Sequence, residues 1–353
     1  MSRKSNFKFK FLFIYVLIFI AFTSTAYSDY EEEEVLIELY GDEEVINIAT
    51  GSAQPVSRAS VAILYPELRA PFNKVFEDIV AGVEKKVNGL TKRYILEKEF
   101  SQVDLDDWVK KNDIKVCVAL GVRAEYAANQ LAQEIPIVLS GVLEPKLFMH
   151  PGISLAASPY RLFLKLKQQK LNIKQIIVVY NPKKSKWLMR EAQSAASKHG
   201  LELVTYTTSS LSESAKIYSE VFDRLRIKDS AIWLPPDSTS IDNRTLLSFV
   251  LEKAWAHRVA VFSSSPAHVS KGVLFAMYPD NMKLGLSLGA VALEELNGGR
   301  KISKMIPAED LKTAFNKRTA KHLGVRFTSE DLRKYDAVFP SELSLKVNNN
   351  ESI

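Results

Sequence analysis

The chain has 353 residues, 46% of them hydrophobic and 25% charged, so it is long enough to bury the cores of about two domains. These are ordinary values for globular proteins, which argues against intrinsic disorder. The formal net charge of +6 falls to +2 without the first 28 residues, because they hold four basic residues and no acidic one. The charge balance is therefore no argument for nucleic-acid binding.

The first 28 residues have the order of a secretory signal peptide. A basic head spans residues 3–10, an apolar run spans 11–22, and small and polar residues follow to position 28. This order predicts cleavage after Ala26 or Ser28 and export to the periplasm. The alternative is an uncleaved membrane anchor, but the apolar run is shorter than the ~20 residues of a spanning helix. No cysteine lies near the cleavage point, so we expect no lipid anchor.

Residues 29–58 form an acidic leader, which begins with four consecutive glutamates at 31–34. The simplest interpretation is a solvated segment ahead of the first strand. Residues 39–57 also resemble the start of the plug domain of TonB-dependent outer-membrane receptors. That resemblance implies a TonB-linked receptor as a possible partner.

From residue 60 onward, strand-length apolar runs alternate with helix-period segments. The apolar runs are 61–65, 116–120, 137–139, 176–180, 203–206, 231–234, 259–262 and 273–277. The helix-period segments are 71–87, 123–134, 160–169, 188–199, 212–225, 243–257 and 282–296. Continuous apolar strands with helical crossovers predict an α/β protein whose parallel sheets are covered on both faces.

These units are too many for one compact sheet, and a break near 157–160 predicts two Rossmann-like lobes with a ligand cleft between them. We expect a first lobe over 59–158 with a return segment near 281–300, and a second lobe over 159–280. Residues 301–341 are predicted to form a C-terminal crossing segment with a helix, and 342–353 a disordered tail.

Polar residues at or just after the apolar runs are the candidate ligand contacts, because the strand positions them and the loop exposes them. The helix after Gly121 offers amides for an anion, and Arg123 offers a carboxylate contact. For each residue the alternative is a turn or a helix cap. The candidates are Tyr65, Gly121, Arg123, Ser140 and Glu144 in the first lobe, and Asn181, Asp237, Ser264, Tyr278 and Asp280 in the second.

Residues 60–340 resemble the substrate-binding proteins of ABC transporters, in the type I periplasmic-binding fold group that includes tryptophan-binding components. The segments that carry the resemblance are 119–121, 135–138, 178–182, 199–203, 231–237, 271–274, 297–300 and 320–325. The resemblance implies that Asn181, Asp237 and either Tyr278 or Asp280 contact the ligand. The chain departs from the family pattern at Glu144, where the family has aspartate, and in a shortened segment at 149–154.

Enzymatic interpretations find little support in the sequence. Residues 285–289 match G-x-S-x-G, but that motif needs a strand leading into a sharp turn, and here it lies in a helix-period segment. The five histidines lack metal-ligand spacing, and Cys117, the only cysteine, is predicted to be buried. We expect neither a metal nor another cofactor.

The sequence therefore predicts a periplasmic solute-binding protein rather than an enzyme. It would close on a small polar or amino-acid-like ligand and deliver it to an ABC permease. The alternative is a ligand-sensing or accessory interaction protein beside a TonB-dependent receptor or a membrane signalling partner.

Overall fold

The computed structural model describes residues 61–340, apart from 71–72, 133, 145–149, 225–228, 300–301 and 303. The predicted signal peptide, acidic leader and C-terminal tail lie outside the described residues. Among the helices that are described, none combines the length and the apolar character needed to cross a membrane.

Strands and helices alternate along most of the described chain. The strands are β1 (Val61–Pro66), β2 (Thr91–Leu96), β3 (Val116–Leu120), β4 (Ile137–Ser140), β5 (Gly152–Ala157), β6 (Gln175–Tyr180), β7 (Glu202–Thr207), β8 (Ser230–Leu234), β9 (Ala260–Ser263), β10 (Phe275–Pro279), β11 (Met305–Ala308), β12 (Leu311–Asn316) and β13 (Ala337–Phe339). The helices are α1 (Asn73–Val87), α2 (Gln102–Lys111), α3 (Val122–Asn129), α4 (Pro159–Gln168), α5 (Pro182–His199), α6 (Leu211–Arg224), α7 (Leu246–His257), α8 (Ala267–Lys271), α9 (Asn281–Leu296), α10 (Lys317–Leu323) and α11 (Ser329–Leu332).

The strands form two sheets, one in each lobe. The first has the order β11-β5-β4-β3-β1-β2 and the second the order β13-β12-β10-β9-β8-β6-β7. All neighbouring strands are parallel except β10 and β12, which are antiparallel. The predicted α/β architecture of two lobes is confirmed, with one antiparallel pair that the sequence pattern does not predict. This pair is antiparallel because β12 enters the second sheet directly from the junction with the first.

The chain passes between the two sheets at residues 157–159, 279–281 and 308–311. The first of these segments leads from β5 to α4, the second from β10 to α9, and the third from β11 to β12. Strands β5 and β10 both leave their sheets at their carboxyl ends, so the carboxyl edges of the two sheets face the same junction. This is the edge at which open α/β sheets bind ligands.

One buried apolar cluster extends through both lobes. Around α4, the ring of Phe163 lies 5.5 Å from that of Trp233 and 6.1 Å from that of Phe262. The buried cluster that contains these rings continues into the first lobe through Ala157 and Leu64. The lobes are therefore joined by buried contacts as well as by the crossing segments.

Helices α1 and α9 cross at glycines on one face of the first sheet. A Cβ atom on Gly285 of α9 would lie 2.1 Å from the carbonyl oxygen of Ile79 and 2.8 Å from the Cα of Gly82. A Cβ on Gly82 would in turn lie 2.3 Å from the carbonyl oxygen of Met282. The crossing requires glycine at both positions, which accounts for the first glycine of the G-x-S-x-G match.

The sequence pattern misses β2, α2 and β5, and it does not identify β11, β12 and β13 within the predicted C-terminal crossing segment. Strand β2 lies at the sheet edge and exposes Lys92 and Arg93, so it has no apolar run. Strand β5 contains residues 152–154, which belong to the segment that is shortened relative to the family pattern, and all its residues are buried. At the start of β5, a Cβ on Gly152 would lie 1.9 Å from the carbonyl oxygen of Leu139, so the tight pairing with β4 requires glycine there.

Candidate functional site

The candidate site is the junction between the carboxyl edges of the two sheets. Polar residues with less than a tenth of their surface exposed lie at this edge in both lobes. In the first lobe they are Arg123 and Ser140; in the second they are Asn181, Asp237, Ser264 and Asp280. All six belong to the predicted ligand contacts, and their role in binding stays a prediction.

The structure brings Asn181 and Asp237 together. The backbone N–H of Asn181 donates to Oδ2 of Asp237 at 2.6 Å, and the hydroxyl of Ser185 lies 3.4 Å from the same oxygen. Oδ1 of Asp237 accepts from the N–H of Thr239 at 3.0 Å and from its hydroxyl at 2.5 Å. The carboxylate therefore joins the loops that follow β6 and β8. Two of its partners, Ser185 and Thr239, are not among the predicted ligand contacts.

Asn181 and Asp280 are also helix caps, which is the alternative left open by their sequence positions. The side chain of Asn181 accepts from the N–H of Lys183 at 2.9 Å, and proline at the first position of α5 suits that start. The side chain of Asp280 accepts from the N–H of Lys283 at 3.3 Å. Its own N–H donates to the carbonyl of Asp310 at 2.9 Å, so Asp280 joins two crossing segments.

Gly121 and Ser140 are neighbours at the edge of the first sheet. The N–H of Gly121 donates to the carbonyl of Ser140 at 2.8 Å, and the hydroxyl of Ser140 donates to the carbonyl of Ile153 at 2.6 Å. Gly121 precedes α3 with a φ of 89°, a conformation that favours glycine. A non-glycine residue there would strain the turn that starts α3.

Arg123 supplies positive charge to this edge. It is 6% exposed, and its Nη1 lies 3.5 Å from the carbonyl oxygen of Glu97, which follows β2. Burial lowers the pKa of Arg123, but a guanidinium remains charged at neutral pH. A buried cation beside the amides that begin α3 suits a carboxylate.

Ser264 and Ser265 carry buried hydroxyls for which the described residues offer no hydrogen-bond partner. They follow β9 and are 1% and 2% exposed. Buried polar groups are nearly always hydrogen-bonded, so each such hydroxyl calls for an explanation. Ser264 is a predicted ligand contact and Ser265 is not, although both lie in the same serine run after β9.

His268 lies next to these serines. Its Nδ1 is 2.7 Å from the hydroxyl oxygen of Ser263, and that oxygen also accepts from the N–H of Ser265 at 3.0 Å. Burial, with a smaller effect of Lys271, lowers the pKa of His268 to about 4. The imidazole is therefore neutral at physiological pH and helps to shape the serine loop.

The remaining predicted contacts are only partly buried. Tyr65 packs with the apolar cluster on the α1 and α9 face of the first sheet, close enough to Arg93 to raise its pKa slightly, although Glu84 has the larger effect. Burial raises the pKa of Tyr278 to about 12, and Glu144 is half-buried. Asp336 and Asp280 add smaller upward effects on the pKa of Tyr278, so Tyr278 lies near Asp280.

Ser287 and Cys117, which the enzymatic interpretations concern, both have structural explanations. Ser287 of the G-x-S-x-G match lies within α9, and its hydroxyl donates to Oδ2 of Asp310 at 2.8 Å. Cys117 is buried in β3, and burial raises the pKa of its thiol to about 12. Within the part of the chain that the structure describes, no group of three or more histidine, cysteine, aspartate or glutamate side chains could hold a metal ion.

A model of the family described as ABC transporter substrate binding protein matches residues 103–338. The match covers more than half of the chain, so the chain belongs to this family, whose members are typically extracytoplasmic. The resemblance based on sequence motifs is thereby confirmed. The TonB-related resemblance lies outside both the matched and the described residues and has no support.

The chain is similar to a tyrosine-binding protein of Clostridioides difficile (strain R20291), with 24% identity over 233 residues. These residues are 62% of this chain and 65% of that relative, so the chain spans just under two thirds of it.

Two solved structures are also similar. A ligand-free, open substrate-binding protein with adhesive properties from Clostridium difficile has a TM-score of 0.54 and 19% identity, over 79% of this chain and 99% of that one. An ABC domain in complex with L-Trp from Streptococcus pneumonia has a TM-score of 0.48 and 20% identity, over 80% of this chain and 100% of that one. The first likeness supports the two-lobed fold.

Proposed function

We propose that this protein is the solute-binding component of an ABC transporter and holds a small amino-acid-like ligand between its lobes. The observation that carries the proposal is the pair of buried hydroxyls of Ser264 and Ser265, which lack partners among the described residues. They lie at the carboxyl edge of the second sheet, where a ligand would supply the missing hydrogen bonds.

The charges at the junction suit a zwitterion. Arg123, in the first lobe, is placed for a carboxylate, and Asp237 and Asp280, in the second, give the opposite edge acidic character. The name of the tyrosine-binding relative points to the same class of ligand. Because Asp237 and Asp280 already accept hydrogen bonds from their own loops, we assign Arg123 and Ser264 the direct contacts.

Ligand binding would favour closure of the lobes, because a ligand shifts such an equilibrium only when it contacts both sides. A permease would then recognise the closed form. The N-terminal signal peptide would deliver the protein to the periplasm, and its family membership is consistent with that location. In this role the protein performs no chemistry on its ligand.

The proposal is tested by thermal unfolding of the chain that starts at residue 29. L-Tyrosine, L-tryptophan and a panel of other amino acids, peptides and nucleosides are added in turn, with D-tyrosine and D-tryptophan as stereochemical controls. We expect at least one L-amino acid to raise the melting temperature, as a ligand that binds only the folded state must. The proposal fails if no compound of the panel does so.

A matched pair of arginine variants locates the site. Arg123→Gln should abolish the shift, whereas Arg190→Gln, an exposed residue of α5, should leave it intact. Equal responses in the two variants would mean that Arg123 does not contact the ligand.

A further inference from the structure

A cavity lies in the second lobe, between the C-terminal end of α4 and residues 324–335. We call it the distal cavity; its volume is 600 Å³. The lining side chains that matter here are Lys165, Lys170, Arg326, Phe327, Lys334 and Tyr335. Its volume falls within the ~300–1,000 Å³ typical of small-molecule sites.

The distal cavity is separate from the junction between the lobes. Phe315, in its wall, pairs with Phe275 at the beginning of β10, whereas Asp280 follows the end of that strand. Positions 275 and 280 are five residues apart, which at ~3.3 Å per residue is about 16 Å along the strand. A molecule in the distal cavity would therefore not occupy the interlobe site.

The cavity has an excess of positive charge. Four cationic side chains line it, with Asp331 as the acidic one. The carboxylate of Asp331 is engaged locally, since it accepts from Thr328 and lies 3.0 Å from Nζ of Lys334. Within the described residues, no carboxylate forms an ion pair with Lys165, Lys170 or Arg326.

Aromatic rings hold one of these cations in place. Nζ of Lys165 lies 4.1 Å from the ring centroid of Tyr335, and that ring stacks on Phe315 at 4.4 Å. Phe327 contacts the edge of Phe315 at 5.6 Å and adds a further apolar surface. Burial lowers the pKa of Lys165, which indicates a partly water-excluded position where pairing with an anion is stronger than in water.

The dipole of α4 explains the position of only some of the cations that line the cavity. Lys165 and Lys167 lie in the last turn of α4, where cations interact favourably with the helix dipole. Arg326 comes from a different segment, beyond the end of α10, and the dipole does not account for it. Nor does it account for a cavity with aromatic walls.

We propose that the distal cavity binds a small organic anion in which a carboxylate or phosphate is joined to a flat apolar body. The anionic group pairs with Lys165, Lys170 and Arg326, and the apolar body lies against Phe327 and Tyr335. This site is independent of the interlobe ligand and of transport.

Phenyl phosphate and benzoate are the probes, measured by isothermal titration calorimetry on the chain from residue 29. Inorganic phosphate and acetate represent the two anionic groups alone, and phenol represents the flat apolar body alone. We expect one of the two probes to bind at least ~10-fold more tightly than its anionic group or phenol alone and to weaken as salt is raised. Stronger binding of phenyl phosphate identifies a phosphate ligand, and stronger binding of benzoate a carboxylate.

Three variants check the location. Lys165→Met and Arg326→Gln should each weaken the probe at least ~10-fold, while Lys110→Gln, an exposed residue of α2, should not. Their melting temperatures without probe show whether each variant is folded. Ser264→Ala should leave probe binding unchanged, which separates this site from the interlobe site. The proposal is wrong if neither probe binds, or if folded Lys165→Met and Arg326→Gln bind as the parent chain does.

Discussion

The carboxylate of Asp237 accepts the backbone N–H of Asn181 at 2.6 Å and thereby ties the loop after β8 to the loop after β6. Both residues are at least nine-tenths buried, so this bond forms part of the second lobe's framework whether or not a ligand is present. Hydrogen bonds to a buried charged group contribute more than neutral ones, and their loss leaves donors without partners.

Asp237→Ala should therefore lower the free energy of unfolding of the ligand-free protein by about 2–4 kcal/mol. Urea denaturation provides the measurement, and Asp107→Ala, at an exposed position of α2, is the control. If Asp237→Ala loses ligand binding with unchanged stability, the carboxylate is a ligand contact and not a framework group.

Ser264→Ala should weaken ligand binding without lowering the stability of the ligand-free protein. The variant removes a buried hydroxyl that lacks a partner among the described residues, so the ligand-free protein should be equally stable or more stable by about 1 kcal/mol. Ligand affinity should fall about tenfold, the loss of one hydrogen bond of ~1.4 kcal/mol. Calorimetric titration and urea denaturation measure the two effects, with Ser270→Ala, at an exposed position of α8, as the control. A destabilised apo protein with full affinity would contradict this assignment.

Gly285→Ala should destabilise the first lobe, because the new Cβ would meet the backbone of α1 and force α1 and α9 apart. Overpacking against rigid backbone costs about 1–3 kcal/mol or more. Ser287→Ala, two residues along α9, removes one hydrogen bond without crowding and should cost about 1 kcal/mol. Thermal unfolding of both variants tests the glycine crossing; equal stability of Gly285→Ala and the parent chain would exclude it.

Stability should fall as the pH is lowered from about 6.5 to about 4. The folded pKa of His268 lies at about 4, against 6.5 for the free side chain, so in this window only the unfolded state takes up the proton. Proton uptake by the unfolded state lowers the free energy of unfolding, by about 3 kcal/mol across the window. Above pH 6.5 and below pH 4, His268 adds no pH dependence of its own.

His268→Gln should reduce the pH dependence of the free energy of unfolding between about pH 4 and 6.5. Urea denaturation midpoints measured at several pH values would show this. His257→Gln, at an exposed histidine of α7, should keep the parent slope. Equal slopes in the parent chain and in His268→Gln would mean that other groups dominate acid sensitivity.

Much of the fold follows from apolar periodicity, since buried parallel strands such as β3, β6 and β8 are continuous apolar runs. That signal fails for β2, because an edge strand with exposed lysine and arginine has no such run. It also fails for the antiparallel direction of β12, which depends on how the chain returns from the first lobe. Apolar periodicity does not show in which direction a strand enters its sheet.

The candidate site was predictable to the level of loops but not of individual contacts. Sequence position correctly places Asn181 and Asp237 after strands, yet it cannot show that the two residues are joined by a hydrogen bond. It also cannot distinguish a cap from a ligand contact, because both use a side-chain oxygen at the same position. The distal cavity gave no sequence signal, since its walls come from segments separated by about 150 residues.

The passage of the chain between the lobes has a consequence for biosynthesis. The first sheet begins with β1 but is completed only by β11, and α9, which covers α1, is made after most of the second lobe. A ribosome that has produced residues 61–157 has released a half-formed lobe with the apolar face of α1 uncovered. The second sheet is in turn completed only by β12 and β13, which follow β11, so neither lobe is finished until the C-terminal part of the described chain has been made.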